Sequence, residues 1–131
     1  MKFLLDNNLS PKLARALAAL SEGGHEVVAL RDRFPADTSD ETWIRQLGKE
    51  GGWCVVSGDR FLKTPGERAA WRESKLTTFF LAPGWSSLTH WAKAAKLVHA
   101  WPIIESTAVN VEAGAAFEVK VSGKLSVLQK L

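Results

Sequence analysis

Two short apolar runs each lead straight into an aspartate. Residues 2–6 read KFLLD and continue into Asn7-Asn8, and residues 53–59 read WCVVSGD and continue into Arg60. A strand is rigid, so a carboxylate at its C-terminal end is held at a fixed point on the rim of a sheet. In open α/β sheets that rim is where ligands bind. Two carboxylates delivered there from separate strands repel each other, and folding gains nothing from the repulsion. A bound divalent cation reverses its sign, so the pattern points to an acidic, metal-dependent site.

The rest of the chain supplies the helices such a sheet needs. Ser10-Pro11 opens a helix, with Ser10 as cap and Pro11 at the first helical position, where its missing N–H is not needed. Leu13, Leu17 and Leu20 follow at helical spacing, Gly23-Gly24 stops it, and residues 25–30 (HEVVAL) read as a second strand. Strand, helix, strand implies a right-handed crossover and parallel pairing. Residues 31–38 read as a loop, 40–49 as a helix with Trp43, Ile44 and Leu47 inward, and 53–57 as the third strand. Thr64-Pro65 opens a short helix to about Glu73, and LTTFFL at 76–81 is a fourth strand. After the break at Pro83-Gly84, residues 87–100 form an amphipathic helix with Leu88, Trp91, Ala95 and Val98 on one stripe, and 115–128 alternate as a strand pair. At 131 residues the chain is expected to be one α/β domain, with a helix and strand extension from about residue 85.

Composition narrows the setting. Apolar residues make up 46% and charged residues 24%, which suits a globular chain, and the net charge of +3 is compatible with nucleic acid without being diagnostic. The single cysteine, Cys54, lies in an apolar strand and reads as packing. No signal peptide and no membrane span is visible, so a cytoplasmic location is expected. His25, His90 and His99 are scattered, and no Cys/His spacing suggests zinc.

Further acids stand at Asp37, Asp40 and Glu41, and at Glu67. Thr38-x-x-Glu41 and Thr64-x-x-Glu67 match the capping box, in which the glutamate reaches back to the cap, so both glutamates have a structural explanation. Asp40 lies outside that box and at a helix start on the same rim, which makes it the third site carboxylate beside Asp6 and Asp59. Three carboxylates with few other ligands suit magnesium or manganese. Arg60, Lys63 and Arg68 follow Asp59, and Arg31 and Arg33 follow the second strand, so all start near that rim and can orient a phosphate backbone.

The series DNNLSPKLARAL, GHEVVALRD, SDETW, VVSGDRFLKTPGERAAW and FFLAPGW, in that order over roughly residues 1–105, resembles the PIN-like domains, in the branch grouped with VapC-type toxins of toxin–antitoxin pairs. The resemblance implies a three-layer α/β fold with a small, mostly parallel central sheet flanked by helices. It also implies an acidic pocket that binds Mg2+ or Mn2+ and hydrolyses phosphodiester bonds, usually in RNA. Carried over by position, Asp6, Asp40 and Asp59 are the catalytic and metal-binding acids, and Ser57 is a small hydroxyl beside the metal. Arg60, Lys63 and Arg68 are then the substrate-binding residues. Asn7 stands where related chains often carry a second acid, and Arg60-Phe61 where a fourth follows; Glu67 is the nearby substitute, with Glu41 the other possible acid.

The function expected on these grounds is a metal-dependent ribonuclease acting as a toxin, with RNA and an antitoxin protein as partners and no membrane. Two alternatives stand beside it: a catalytically inactive nucleic-acid-binding or regulatory module of the same fold, and a phosphoacceptor receiver domain. The receiver wants an acid pair after the first strand and a lysine after a late one, which Asp6-Asn7 and Leu81-Ala82-Pro83 do not offer. Of the tryptophans, Trp43, Trp53 and Trp71 sit on core faces by spacing. Trp85, Trp91 and Trp101 flank the C-terminal helix, where they can cover the sheet or form an interface with an antitoxin or a second copy.

Overall fold

The computed structural model describes residues 1–60 and 63–128. Along the chain run β1 (Lys2–Leu5), α1 (Pro11–Leu20), β2 (Glu26–Ala29), α2 (Leu30–Arg33), α3 (Asp40–Glu50), β3 (Trp53–Ser57), α4 (Pro65–Ser74), β4 (Thr77–Leu81), a 3-10 turn (Pro83–Ser87), α5 (His90–Asn110), β5 (Ala116–Val119) and β6 (Leu125–Leu128). The strands form one sheet in the order β2-β1-β3-β4-β5-β6. All pairs are parallel except β5 with β6, which close as an antiparallel hairpin.

Strand alternation divides the core into two layers. Phe3, Leu5, Cys54, Val56, Phe79, Leu81, Phe117 and Val119 face α1 and α5. Leu4, Val55, Phe80 and Ala116 face α3 and α4, where Trp43, Ile44, Leu47 and Ala70 cover them. This is the three-layer α/β arrangement with a mostly parallel sheet. Cys54 is buried and its thiol is pushed up to about 12, chiefly by burial, in keeping with a packing residue. Among the described residues no helix is long and apolar enough to cross a membrane.

Several local expectations are revised. The segment after β2 opens with the helical turn α2, closed by Phe34 N–H to Leu30 O at 2.9 Å, because Leu30 is buried beneath the α3/α4 layer. In α1 the inward stripe is Leu13, Ala14 and Leu17, while Leu20 is exposed. The largest revision concerns α5, which starts at His90 and runs past Pro102 to Asn110. Its buried stripe is Leu97, Ala100, Trp101, Ile104 and Ala108, so Trp91, 81% exposed, and Val98 lie on the outer face. Apolar residues on both faces of this helix make its inward side ambiguous from spacing alone. Proline costs an interior helix about 3 kcal/mol, and the apolar stripe docked on the sheet both before and after Pro102 keeps the helix continuous.

Candidate active site

Strand order decides where the chain can bind. From β1 the chain moves outward to β2, then returns past β1 to β3, so the sheet reverses direction between β1 and β3. At such a switch point the loops leaving the C-terminal ends diverge to opposite faces and open a crevice. Asp6 and Asp59 leave those two strands.

Asp6 directly follows β1, and its N–H continues the ladder to Val56 O at 3.0 Å. Its Oδ2 accepts from Ser57 Oγ at 2.8 Å, and its Oδ1 from the Asn7 N–H at 2.6 Å. Ser57, the last residue of β3, is fully buried and also accepts from the Asp59 N–H at 2.9 Å. One hydroxyl thus joins the loops after β1 and β3 and sets both aspartates relative to each other. Asn7 takes part through its backbone, and its side chain is exposed.

The opposite wall comes from α3 and α4. Ser39, not Thr38, caps α3: its hydroxyl accepts from Thr42 N–H at 3.2 Å. The box expected for Thr38 and Glu41 is therefore displaced by one residue. Asp40 becomes the first helical residue, and Trp43 Nε1 donates to its Oδ1 at 2.9 Å. Glu41 pairs instead with Arg45 at 3.4 Å and lies against the first turn of α4, where a Cβ at Gly66 would come within 2.6 Å of its Oε2.

Thr64 caps α4 as expected, accepting from Glu67 N–H at 3.0 Å and hydrogen-bonding the Glu67 side chain. Glu67 is nevertheless more than a capping residue. It is only 9% exposed, and its Oε1 has no hydrogen-bond partner among the described residues. The two helices touch at Gly48, whose ideal Cβ would lie 2.9 Å from Ser74 Cα and Cβ. Gly48→Ala should therefore lower stability, by about 1–3 kcal/mol as for an overpacked core, although glycine to alanine inside a helix normally helps. A melting temperature at or above the parent's would disprove the close approach.

These acids share one electrostatic environment. Burial, then the charges of Asp40 and Asp59, raise the Asp6 carboxyl above its ordinary range, against hydrogen bonds from Ser57 and Asn7 that lower it. Burial, then again Asp40 and Asp59, raise Glu67. Every donor is oxygen, the type a hard divalent cation takes. Among the described residues, no group of three or more His, Cys, Asp or Glu side chains is already drawn together as a cation site.

A model described as PIN like domain matches residues 1–83. The chain belongs to the PIN-like domain family. Searches of the curated proteins and of the solved structures found no match. The matched segment of this PIN-like domain runs from β1 into the 3-10 turn, so it holds Asp6, Asp40, Asp59 and Glu67 and ends before α5. PIN-like domains are a nuclease-type fold.

The basic residues of the PIN-like domain divide sharply. Lys63 is exposed but places its ammonium 3.2 Å from Asp59 Oδ2, and Asp59, Asp40 and Glu67 all raise its pKa. A protein cation thus already answers the acid cluster. Arg60 points elsewhere, pairing with Glu118 on β5 at 2.6 Å, its guanidinium 5.0 Å from the Phe80 ring centroid. Arg68 is exposed on the first part of α4. Arg33 does not stay near the acid rim: it pairs with Glu50 and stacks over Trp53, the first residue of β3, at the opposite end of the strand. Phe61, beside Arg60 where a further acid is absent, lies outside the described residues.

Proposed function

We propose that this PIN-like domain is a divalent-metal-dependent endoribonuclease of the VapC-type toxin branch, with Mg2+ or Mn2+ as its metal and RNA as its substrate. The supporting observation is that two buried carboxylates at the sheet's switch point, Asp6 and Glu67, are each raised by burial and by the charges of Asp40 and Asp59. Buried acids held above their ordinary range beside further acids, at a stability cost, are a mark of function rather than of packing. Asp6, Asp40, Asp59 and Glu67 would hold the ion, and the unpartnered Glu67 Oε1 is an acceptor suited to it.

When bound, such an ion activates water and neutralises charge on the phosphate under attack. The chain's own groups do the rest. Ser57 keeps Asp6 and Asp59 in fixed relative orientation, and the Trp43 indole restrains the Asp40 carboxylate. Arg60 anchors the loop after β3 to β5 through Glu118. Lys63 and Arg68 meet backbone phosphates, Lys63 after leaving Asp59.

Single-stranded RNA incubated with the protein should be cut when Mn2+ or Mg2+ is present and left whole with EDTA. Cleavage undiminished by EDTA would overturn the metal mechanism. Expression in cells, alone and with a small protein encoded beside it, tests the toxin and its antitoxin. Binding by Lys63 makes a separate quantitative statement. RNA affinity should fall with salt, and Lys63→Ala should flatten that dependence by about 0.7 log units per log unit of salt. The same variant should bind metal more tightly, because a competing cation is gone. Arg60→Ala should instead lower the melting temperature and leave the salt slope alone.

The Asp59–Lys63 pair also favours a second reading, a nucleic-acid-binding module in which the lysine permanently replaces the metal. In that case metal would shift neither melting temperature nor RNA affinity.

A further inference from the structure

A pocket of about 340 Å³ opens on the same rim, on the α5 side of the acids. Its apolar wall is Leu9, Leu81 and Trp85, all nearly buried, and the Trp85 ring is fixed by Nε1–H to Val119 O at 3.0 Å. Asn8, Gly58 and Lys93 stand at its margin. Asn8 lies two residues beyond Asp6, so their Cα atoms are within roughly 7.6 Å, and Gly58 lies between Ser57 and Asp59. The pocket and the acids therefore share both loops.

We propose that this pocket receives the nucleobase of the RNA nucleotide adjoining the cleaved phosphate, and so sets sequence preference. The proposal rests on the ribonuclease reading and adds a subsite to it. A base presents flat apolar faces and a polar edge, and it arrives on an anionic strand. The apolar wall meets the face, the Asn8 amide offers one donor side and one acceptor to the edge, and the Lys93 ammonium answers the phosphate. Gly58 is what lets the amide lie there: a Cβ at that position would stand 2.9 Å from Asn8 Nδ2. A side chain at 58 would push Asn8 aside at the border between pocket and acids.

The test uses the full chain in EDTA, with NMR titration by each of the four 5′-nucleoside monophosphates and by ribose 5-phosphate, which lacks a base. Nucleotides should move the Asn8 side-chain amide and the Gly58 and Ser86 signals together with Lys93. Ribose 5-phosphate, which offers Lys93 a phosphate but no base, should leave Asn8, Gly58 and Ser86 unmoved. Ser86→Trp, which fills the pocket from an exposed lining position, should abolish the shifts. Asn8→Ala should weaken the preferred nucleotide about tenfold, the scale of one lost amide–base pairing. In metal, RNAs permuted at the positions flanking a cut should show a preference for one base at one position, and Asn8→Ala should reduce it by a similar factor.

Equal shifts of Asn8, Gly58 and Ser86 from ribose 5-phosphate would overturn the proposal. So would a base preference unchanged in both variants while RNA is still cut, and then the nuclease would stand without the pocket. No cleavage of any RNA by the parent protein, with nucleotide shifts present, would remove the nuclease reading and leave a nucleotide pocket.

Discussion

Asp6→Asn and Asp59→Asn, made singly, should each reduce RNA cleavage by on the order of 10²–10³ or more, the scale of losing one preorganised electrostatic group. Both proteins should still fold. Asparagine keeps the size of the side chain, and at position 6 its oxygen can still accept from the Asn7 N–H while Ser57 turns its hydroxyl to accept. Asp40→Asn and Glu67→Gln should follow the same pattern. Glu41→Gln should not, since Glu41 serves the α3–α4 contact through Arg45. Rates measured on folded variants with Mn2+ decide this. A fully active Asp6→Asn would remove the acidic site from the mechanism, and an inactive but stable Glu41→Gln beside an active Asp40→Asn would exchange the two residues' roles.

Melting experiments separate the electrostatics from catalysis. Asp6 and Glu67 are both raised in the folded state, so between the unfolded and folded values the native protein holds more protons than the unfolded chain. Their joint contribution therefore lowers stability as pH rises above about 4. Glu50, lowered through Gln46, Trp53 and Arg33, contributes with the opposite sign, so the whole protein's profile mixes the two. The difference between Asp6→Asn and the parent isolates Asp6. Without metal the variant should gain on the parent as pH rises from about 4 and then level off. Mn2+ at a hundredfold excess over its dissociation constant should stabilise the parent by about 2.7 kcal/mol, and the variant should lose most of that gain. If Asp6→Asn is clearly destabilised at neutral pH and metal moves neither curve, Asp6 is a turn residue only.

How much of this was legible before folding depended on whether the deciding interaction was local. The apolar runs ending at Asp6 and Asp59, the Thr64 cap and the alternation of strand and helix are interactions within a few residues, and each stands in the structure as the residue pattern indicates. Ser39 displacing Thr38 as cap was a local ambiguity between adjacent hydroxyls, decided by where α3 docks. The i, i+3 spacing of Asp40 and Trp43 was a readable signal for their hydrogen bond.

Long-range matters were not legible in that way. Residue order cannot say which of two apolar faces of α5 meets the sheet, and Trp91 and Trp101 exchange inside for outside only when Phe3 and its neighbours supply a surface. Nor can it say that Arg60 finds Glu118, which lies 58 residues away and becomes a neighbour only because β5 joins β4. Glu67 carries both kinds of information. Its place in the α4 cap is written in the four residues from Thr64, whereas its burial beside Asp40 and Asp59 exists only once α3 and α4 pack through Gly48 and the sheet reverses between β1 and β3. Local hydrogen bonding thus chose the elements and put two acids at strand ends. The gathering of four acids into one electrostatic site required chain reversal and helix packing, because charges from distant segments act on one another only at tertiary distances.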